Sequence, residues 1–146
     1  MRTQFTSKPI IATAVLGAGL LLVATPAFAL SVPGYSGKAI GNSCFSESNG
    51  AAFNQCGVSE LYDITLAVNS GPHTVSVSAF NAGGGTFQCT LYAASQTGVL
   101  VTGTSVSPLT GTTVNSLSVT VPTFGSMYVY CQVGPNGKIY NINYSE

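Results

Sequence analysis

A chain of 146 residues with only 5% charged side chains, four Lys+Arg against four Asp+Glu, cannot neutralise a phosphate backbone, and nucleic acid is excluded as a partner. Hydrophobic residues make up 45% of the chain, glycine occupies 17 positions and tryptophan is absent. That composition, rich in hydroxyls and poor in charge, belongs to an exported protein and not to a cytosolic enzyme, and the length allows one domain.

The N-terminus reads as an address. Arg2 and Lys8 give it a positive start, Ile10 to Val23 is an apolar run broken by Thr13, and Ala27-Phe28-Ala29 supplies small residues for a signal peptidase. Residues 1–29 are therefore expected to be a signal peptide cleaved after Ala29. The apolar run is short for a membrane span, which needs about 20 residues, so no span is expected after cleavage. The residue directly after the cleavage point is Leu30 and not a cysteine, so no lipid anchor is expected. The remaining residues 30–146 carry Lys38 and Lys138 against Glu47, Glu60, Asp63 and Glu146, a net charge of −2.

The rest of the chain alternates between strand-like runs and turn signals, with no sustained helical period. Tyr35 to Ile40 is a first short strand between Pro33-Gly34 and Gly41-Asn42. Cys44 and Cys56 then bracket a polar loop, Phe45 to Gln55. Leu61 to Val68 places Tyr62, Ile64, Leu66 and Val68 on one face, and Asn69-Ser70-Gly71-Pro72 turns the chain. His73 to Phe80 sends Val75, Val77 and Ala79 inward, and Asn81-Ala82-Gly83-Gly84-Gly85 is a flexible connection. Phe87 to Tyr92 follows, with Phe87, Cys89 and Leu91 sharing a face. Ala93 to Gly98 reads as a loop, and Val99 to Val106 as an edge strand thinned by Gly103. Asn115 to Val121 alternates cleanly up to Pro122. Ser126 to Val133 puts Met127, Val129, Cys131 and Val133 opposite Tyr128, Tyr130 and Gln132. Lys138 to Tyr144 closes the domain after the Gly134-Pro135-Asn136-Gly137 turn.

About eight short strands at this spacing predict an all-β fold, an antiparallel β-sandwich or jelly roll, with an open barrel as the alternative. Likeness to immunoglobulin domains stops at the idea of a buried disulfide between sheets. Four cysteines, all beyond the signal peptide, predict two disulfides in an oxidising compartment. Three pairings are open to the sequence. Matching strand positions favour Cys89 with Cys131, a closure worth roughly 4 kcal/mol, and the bracketed loop favours Cys44 with Cys56, worth roughly 3 kcal/mol. There is no Cys-x-x-Cys and the single His73 is remote in spacing, so no metal and no cofactor is expected.

Cys89-Thr90-Leu91-Tyr92, an alternating Ser-Leu-Ser-Val segment, Tyr128-Val129-Tyr130-Cys131 and the terminal Ile139 to Glu146 together resemble a group of small exported bacterial proteins of unknown function. Those proteins similarly carry a Cys-x-Leu-Tyr strand, a Tyr-x-Tyr-Cys strand and a short last strand ending near an acidic residue. The resemblance covers the C-terminal half well and the Cys44 to Cys56 region loosely, where Gly57 stands in place of an expected proline. It implies bacterial export and supplies no activity.

Catalysis is not expected. His73, at a strand start beside a turn, reads as a solvated turn residue, and Glu47, Glu60 and Asp63 offer no evident acid/base pair. Gly83-Gly84-Gly85 lacks the lysine and hydroxyl of a phosphate loop. The notable feature is aromatic: Tyr92, Tyr128 and Tyr130 share the parity opposite their cysteines. Brought together, they would form a patch on an outer face suited to glycan or protein contacts, or would serve as cross-strand partners worth about 0.2–1 kcal/mol each. The sequence thus predicts a periplasmic or extracellular, non-catalytic binding module for a protein or glycan. The alternative is a structural or envelope-surface protein that self-assembles through its low-charge faces.

Overall fold

A computed structural model describes residues 29–41 and 44–145. The segment expected to be a signal peptide lies outside the described residues apart from Ala29, as do Asn42 of the first turn and Glu146. Eleven strands and one 3₁₀ turn make up the described chain: β1 Ala29–Pro33, the turn Gly34–Ser36, β2 Lys38–Ile40, β3 Phe45–Ser48, β4 Ala51–Asn54, β5 Glu60–Leu66, β6 Gly71–Asn81, β7 Gln88–Ala94, β8 Leu100–Val106, β9 Gly111–Val121, β10 Ser126–Val133 and β11 Lys138–Ser145.

The strands form two antiparallel sheets. Sheet A runs β3-β4-β11-β6-β9, with β1 also paired to β11, and sheet B runs β2-β5-β10-β7-β8. Only β3 to β4 and β7 to β8 connect neighbours within a sheet; every other connection carries the chain across the sandwich. Period-two alternation drives this arrangement, because each strand buries one face and hydrates the other. Ile64 and Leu66 from β5, Leu91 from β7, and Met127 and Val129 from β10 meet Val75 and Val77 from β6, Leu117 from β9, and Ile139 and Ile142 from β11 in one fully buried cluster.

The predicted pairing of cysteines holds, Cys44 with Cys56 and Cys89 with Cys131. The second bridge, however, does not join the two sheets. Cys89 and Cys131 are directly opposite each other on neighbouring strands β7 and β10, with Cα atoms 4.1 Å apart, and the bridge is buried within sheet B on its inner side. The parity that matched the two cysteines also made them cross-strand partners.

Four further expectations are corrected. The segment read as a polar loop over Phe45 to Gln55 is the hairpin β3–β4, turned by Asn49 and Gly50 with φ of 53° and 80°. Two successive left-handed residues make the tight turn that follows the twist of a hairpin, and Asn-Gly is its strongest sequence signal. The stretch expected as a strand from Tyr35 instead turns through Gly34–Ser36 and becomes extended only at Lys38. Gly34 is buried where a Cβ would collide with the Ile139 carbonyl, so the chain crosses β11 closely at this point. Leu30 to Pro33, unassigned in sequence, pairs with Asn141 to Tyr144 of β11. Finally, His73 is not solvated: it is 6% exposed, with Nδ1 2.9 Å from the Ser145 carbonyl and Nε2 2.8 Å from the Asn69 carbonyl. The ring sits between the end of β11 and the β5–β6 connection, with each nitrogen within hydrogen-bonding distance of a carbonyl and the tautomer deciding which of the two receives the N–H.

Gly103 lies in edge strand β8 as expected, but its role is contact. A Cβ there would strike the Ser118 carbonyl and Val119, so the glycine lets β8 close against β9 at the open side of the sandwich.

Asn54 organises the end nearest the Cys44–Cys56 bridge. It is fully buried, its Nδ2 lies 2.8–3.1 Å from the Val58, Val133 and Gly134 carbonyls, and its Oδ1 accepts from the Cys56 N–H at 2.9 Å. Replacing it strands several buried backbone groups at once. Asn54→Ala is expected to lower unfolding free energy by about 3 kcal/mol, read as a shift in denaturation midpoint at unchanged slope. Non-reducing peptide mapping is expected to recover Cys44–Cys56 and Cys89–Cys131 peptides; a Cys44–Cys89 peptide would contradict the strand order.

Candidate functional site

The outer face of sheet B carries all three tyrosines marked in the sequence. In the β10 register, Tyr128 stands directly opposite Tyr92 of β7, and Tyr130 opposite Thr90. On the other side of β10, Tyr128 meets Thr65 and Tyr130 meets Asp63 of β5. Lys38 of β2 follows Asp63, while Ser105 and Thr102 of β8 follow Thr90 and Tyr92. The face is thus two rows: Lys38, Asp63, Tyr130, Thr90, Ser105 and, beside it, Thr65, Tyr128, Tyr92, Thr102.

Within this grid the aromatic rings touch. Tyr92 and Tyr128 stack with centroids 5.5 Å apart and planes inclined 19°, whereas Tyr130 meets Tyr92 edge-on at 6.2 Å and 83°. Both geometries are favoured by the ring quadrupole. The three rings are half-buried, so they pack laterally yet keep surface for a ligand. Thr90, enclosed among them, is buried and its hydroxyl bonds that of Ser105 at 2.7 Å.

The charge in the grid is unevenly solvated. Asp63 is half-buried, its Oδ1 is shielded from solvent, and that atom has no hydrogen-bond partner among the described residues. Burial pushes the Asp63 carboxyl up from its usual range, with Lys38 pulling in the other direction. Burial also raises the Tyr128 phenol, reinforced by the charge of Asp63 and by Tyr92. A depression of about 190 Å3 lined by Ser36, Gly37, Lys38, Asp63 and Thr65 opens beside the tyrosines. Glu60 and Asp63, which offer no evident acid/base pair in the sequence, are three residues apart on β5. Strand alternation separates them: Asp63 points to the outer face, whereas Glu60 lies near Cys44 and Cys56, with ligand atoms within 4.8 Å of one another. Both sulfurs of that cluster are taken by the disulfide.

Two other concavities exist among the described residues. One of about 610 Å3 runs along the open side of the sandwich between Thr74, Thr102, Thr104, Ser118 and Thr120, and contains no aromatic platform. Another of about 260 Å3 lies between Tyr35, Phe45, Glu47 and Tyr62, where Phe45 and Tyr62 pack on each other with centroids 4.5 Å apart. Burial raises the Tyr62 phenol, partly offset by the Gly37 backbone. His73, held between two carbonyls in sheet A, and Asp63, on the outer face of sheet B, do not converge on a common reacting position. No helix among the described residues is long and apolar enough to cross a membrane.

No known family's sequence profile matches the chain, and no curated protein matches it. Solved structures do. The carbohydrate-binding module CBM6cm-2 of Cellvibrio mixtus lichenase 5A, solved with cellotriose, superposes with a TM-score of 0.52 at 8% identity over 80% of this chain and 96% of that one. The module BiXyn10A CBM1 gives 0.55 at 13% identity over 82% and 96%. A family 29 carbohydrate-binding module gives 0.52 at 13% over 83% and 87%. At such identities the likeness establishes the β-sandwich fold alone.

The elevated carboxyl of Asp63 has a consequence for stability. The folded protein holds the Asp63 proton more tightly than the unfolded chain does, so the group opposes folding once ionised: its cost is absent below the unfolded carboxyl range and develops as pH rises through the folded value. Asp63→Asn is expected to raise the thermal midpoint at pH 7 by about 2 °C and to leave it unchanged at pH 3, measured by circular dichroism melts at both pH values.

Proposed function

We propose that the protein is an exported, non-catalytic glycan-binding module whose binding face is the outer side of sheet B, with Tyr92, Tyr128 and Tyr130 as the platform. The observation that carries this reading is the tyrosine cluster itself, two stacked rings and one edge-on ring, half-exposed and bordered by Asp63, Thr65, Thr102 and Lys38. A saccharide ring has an apolar face of C–H groups and a rim of hydroxyls. Tyrosine matches both, because a flat ring with a negative face receives the C–H groups while its own hydroxyl and the neighbouring polar side chains meet the rim. The sandwich fold shared with carbohydrate-binding modules supports the reading. The two disulfides and the signal-like N-terminus support a periplasmic or extracellular location, in keeping with the small exported bacterial proteins that the C-terminal half resembles.

A self-assembling structural role draws on a different observation: on the outer side of sheet A the hydroxyls of Ser76, Ser78, Ser116 and Ser118 form an uncharged patch, beyond which Lys138 lies beside Phe80 and Phe53. Sedimentation of the oxidised protein over a wide concentration range separates the two readings, a persistent monomer favouring the binding module and growth into ordered oligomers favouring assembly.

The direct test is affinity electrophoresis and calorimetry against soluble polysaccharides. The double substitution Tyr128→Ser and Tyr130→Ser is expected to reduce glycan affinity at least about tenfold while the far-ultraviolet spectrum stays that of a β protein, since lost cross-strand contacts cost only about 0.2–1 kcal/mol each. Unchanged affinity in the double variant would remove the tyrosines from the binding face.

A further inference from the structure

We infer that Asp63 makes the tyrosine face selective for neutral saccharides over anionic ones, by accepting a hydrogen bond from a ligand hydroxyl bound in the depression beside Tyr130. The inference rests on the glycan-binding reading above and names the ligand class for the same face.

The starting point is a polar atom left without a partner. Two shielded side-chain oxygens lack a partner among the described residues, Asp63 Oδ1 and Asn141 Oδ1 of β11, and of these two residues only Asp63 lies on the tyrosine face. A buried carboxylate without donors is costly, and aspartate at an ordinary strand position gains nothing for the sheet in return. A ligand hydroxyl entering the depression that Asp63 lines would bring a donor to the half-buried carboxylate, whose Oδ1 receives none from the fold. Position agrees with this. Asp63 is the cross-strand neighbour of Tyr130 and lines the 190 Å3 depression with Ser36, Gly37, Lys38 and Thr65, so a saccharide ring lying against the tyrosines has an edge beside the carboxylate.

Charge decides the class. A hydroxyl donates to a carboxylate in a charge-assisted bond, about twice as strong as a neutral one. A uronate or sulfate group at the same place has no proton to donate and adds a like charge. Lys38 stands on the other side of Asp63 and would attract anions, but it is exposed, and an exposed ammonium on a flexible stem is hydrated and screened. Asp63 is the less solvated of the two charges, so its sign governs what can approach closely. The groups around it on this face are Lys38 from β2 and Tyr128 and Tyr130 from β10, with Tyr92 beyond, and none of these supplies a second fixed negative charge.

The experiment compares wild type, Asp63→Asn, Lys138→Gln and the Tyr128→Ser, Tyr130→Ser double variant by calorimetry against a soluble β-glucan, galactomannan, polygalacturonate and a chitosan oligosaccharide, each variant first confirmed as folded by its melt. The wild type is expected to bind at least one neutral polymer and to bind polygalacturonate at least about tenfold more weakly. Asp63→Asn is expected to weaken the neutral interaction about tenfold, the size of a lost charge-assisted bond, and to narrow the gap to polygalacturonate, while Lys138→Gln, in β11 of the other sheet, leaves neutral binding within about twofold. Neutral binding that survives Asp63→Asn unchanged, equal binding of polygalacturonate by the wild type, or tightest binding to the chitosan amine would each overturn the inference while leaving the glycan-binding reading in place. Failure of the wild type to bind any of the four polymers would overturn both.

Discussion

The register of β7 against β10 is the constraint on which the rest of the molecule depends. In a sheet a slip of one residue turns every side chain to the opposite face. Here such a slip would expose Val129 and Met127 and drive Tyr128 and Tyr130 into the core. The Cys89–Cys131 bridge joins the two strands at one directly opposed pair, so the registers that the hydrophobic pattern disfavours are also forbidden covalently. Both strands lie in the interior of sheet B, flanked by β5 and β8. The stacking of Tyr92 on Tyr128, and the place of Asp63 beside Tyr130, are downstream of that single alignment.

Two buried polar groups show how differently the fold treats its parts. Asn54 sits in a cage of carbonyls with its oxygen engaged as well, and its four neighbours come from the β4–β5 connection and the end of β10. It converts a region with little apolar surface into a fixed one. Asp63 is the reverse case, a group that the fold shields without pairing. Asn141 Oδ1 on β11 is shielded without a partner as well, but of the two residues only Asp63 adjoins the tyrosines, and it is there that a broken local rule is the natural place to look for function.

Much of the sandwich was legible because alternation is a simple signal. The inward sets of β5, β6, β9 and β10 were named correctly from parity alone, as were both cysteine pairs and the shared side of the three tyrosines. The hairpin over Phe45 to Asn54 was missed because Ser46, Glu47 and Ser48 suggested a loop, although Asn49-Gly50 carried the turn signal. β1 was missed because its residues adjoin the expected signal peptide and alternate too briefly to stand out. His73 was misplaced for a different reason: its burial depends on carbonyls 72 and 4 residues away in sequence, and nothing local announces them. Asp63 was seen only as one of few carboxylates. Its special state comes from the register with β10 and the crossing of the Gly34–Ser36 turn, which are tertiary facts.

The pairing of β1 with β11 carries an architectural consequence. Ala29 and Ser145 are opposite partners at the end of sheet A where His73 anchors the last strand, so the two strand ends emerge side by side. The tyrosine grid occupies the outer side of the other sheet. A polymer, a bead or a second domain joined through either strand end would therefore attach at one end of sheet A and not within the grid on sheet B. Coupling through amines behaves otherwise, since one of the two lysines among the described residues, Lys38, belongs to the grid and its modification would mask the surface meant to be displayed.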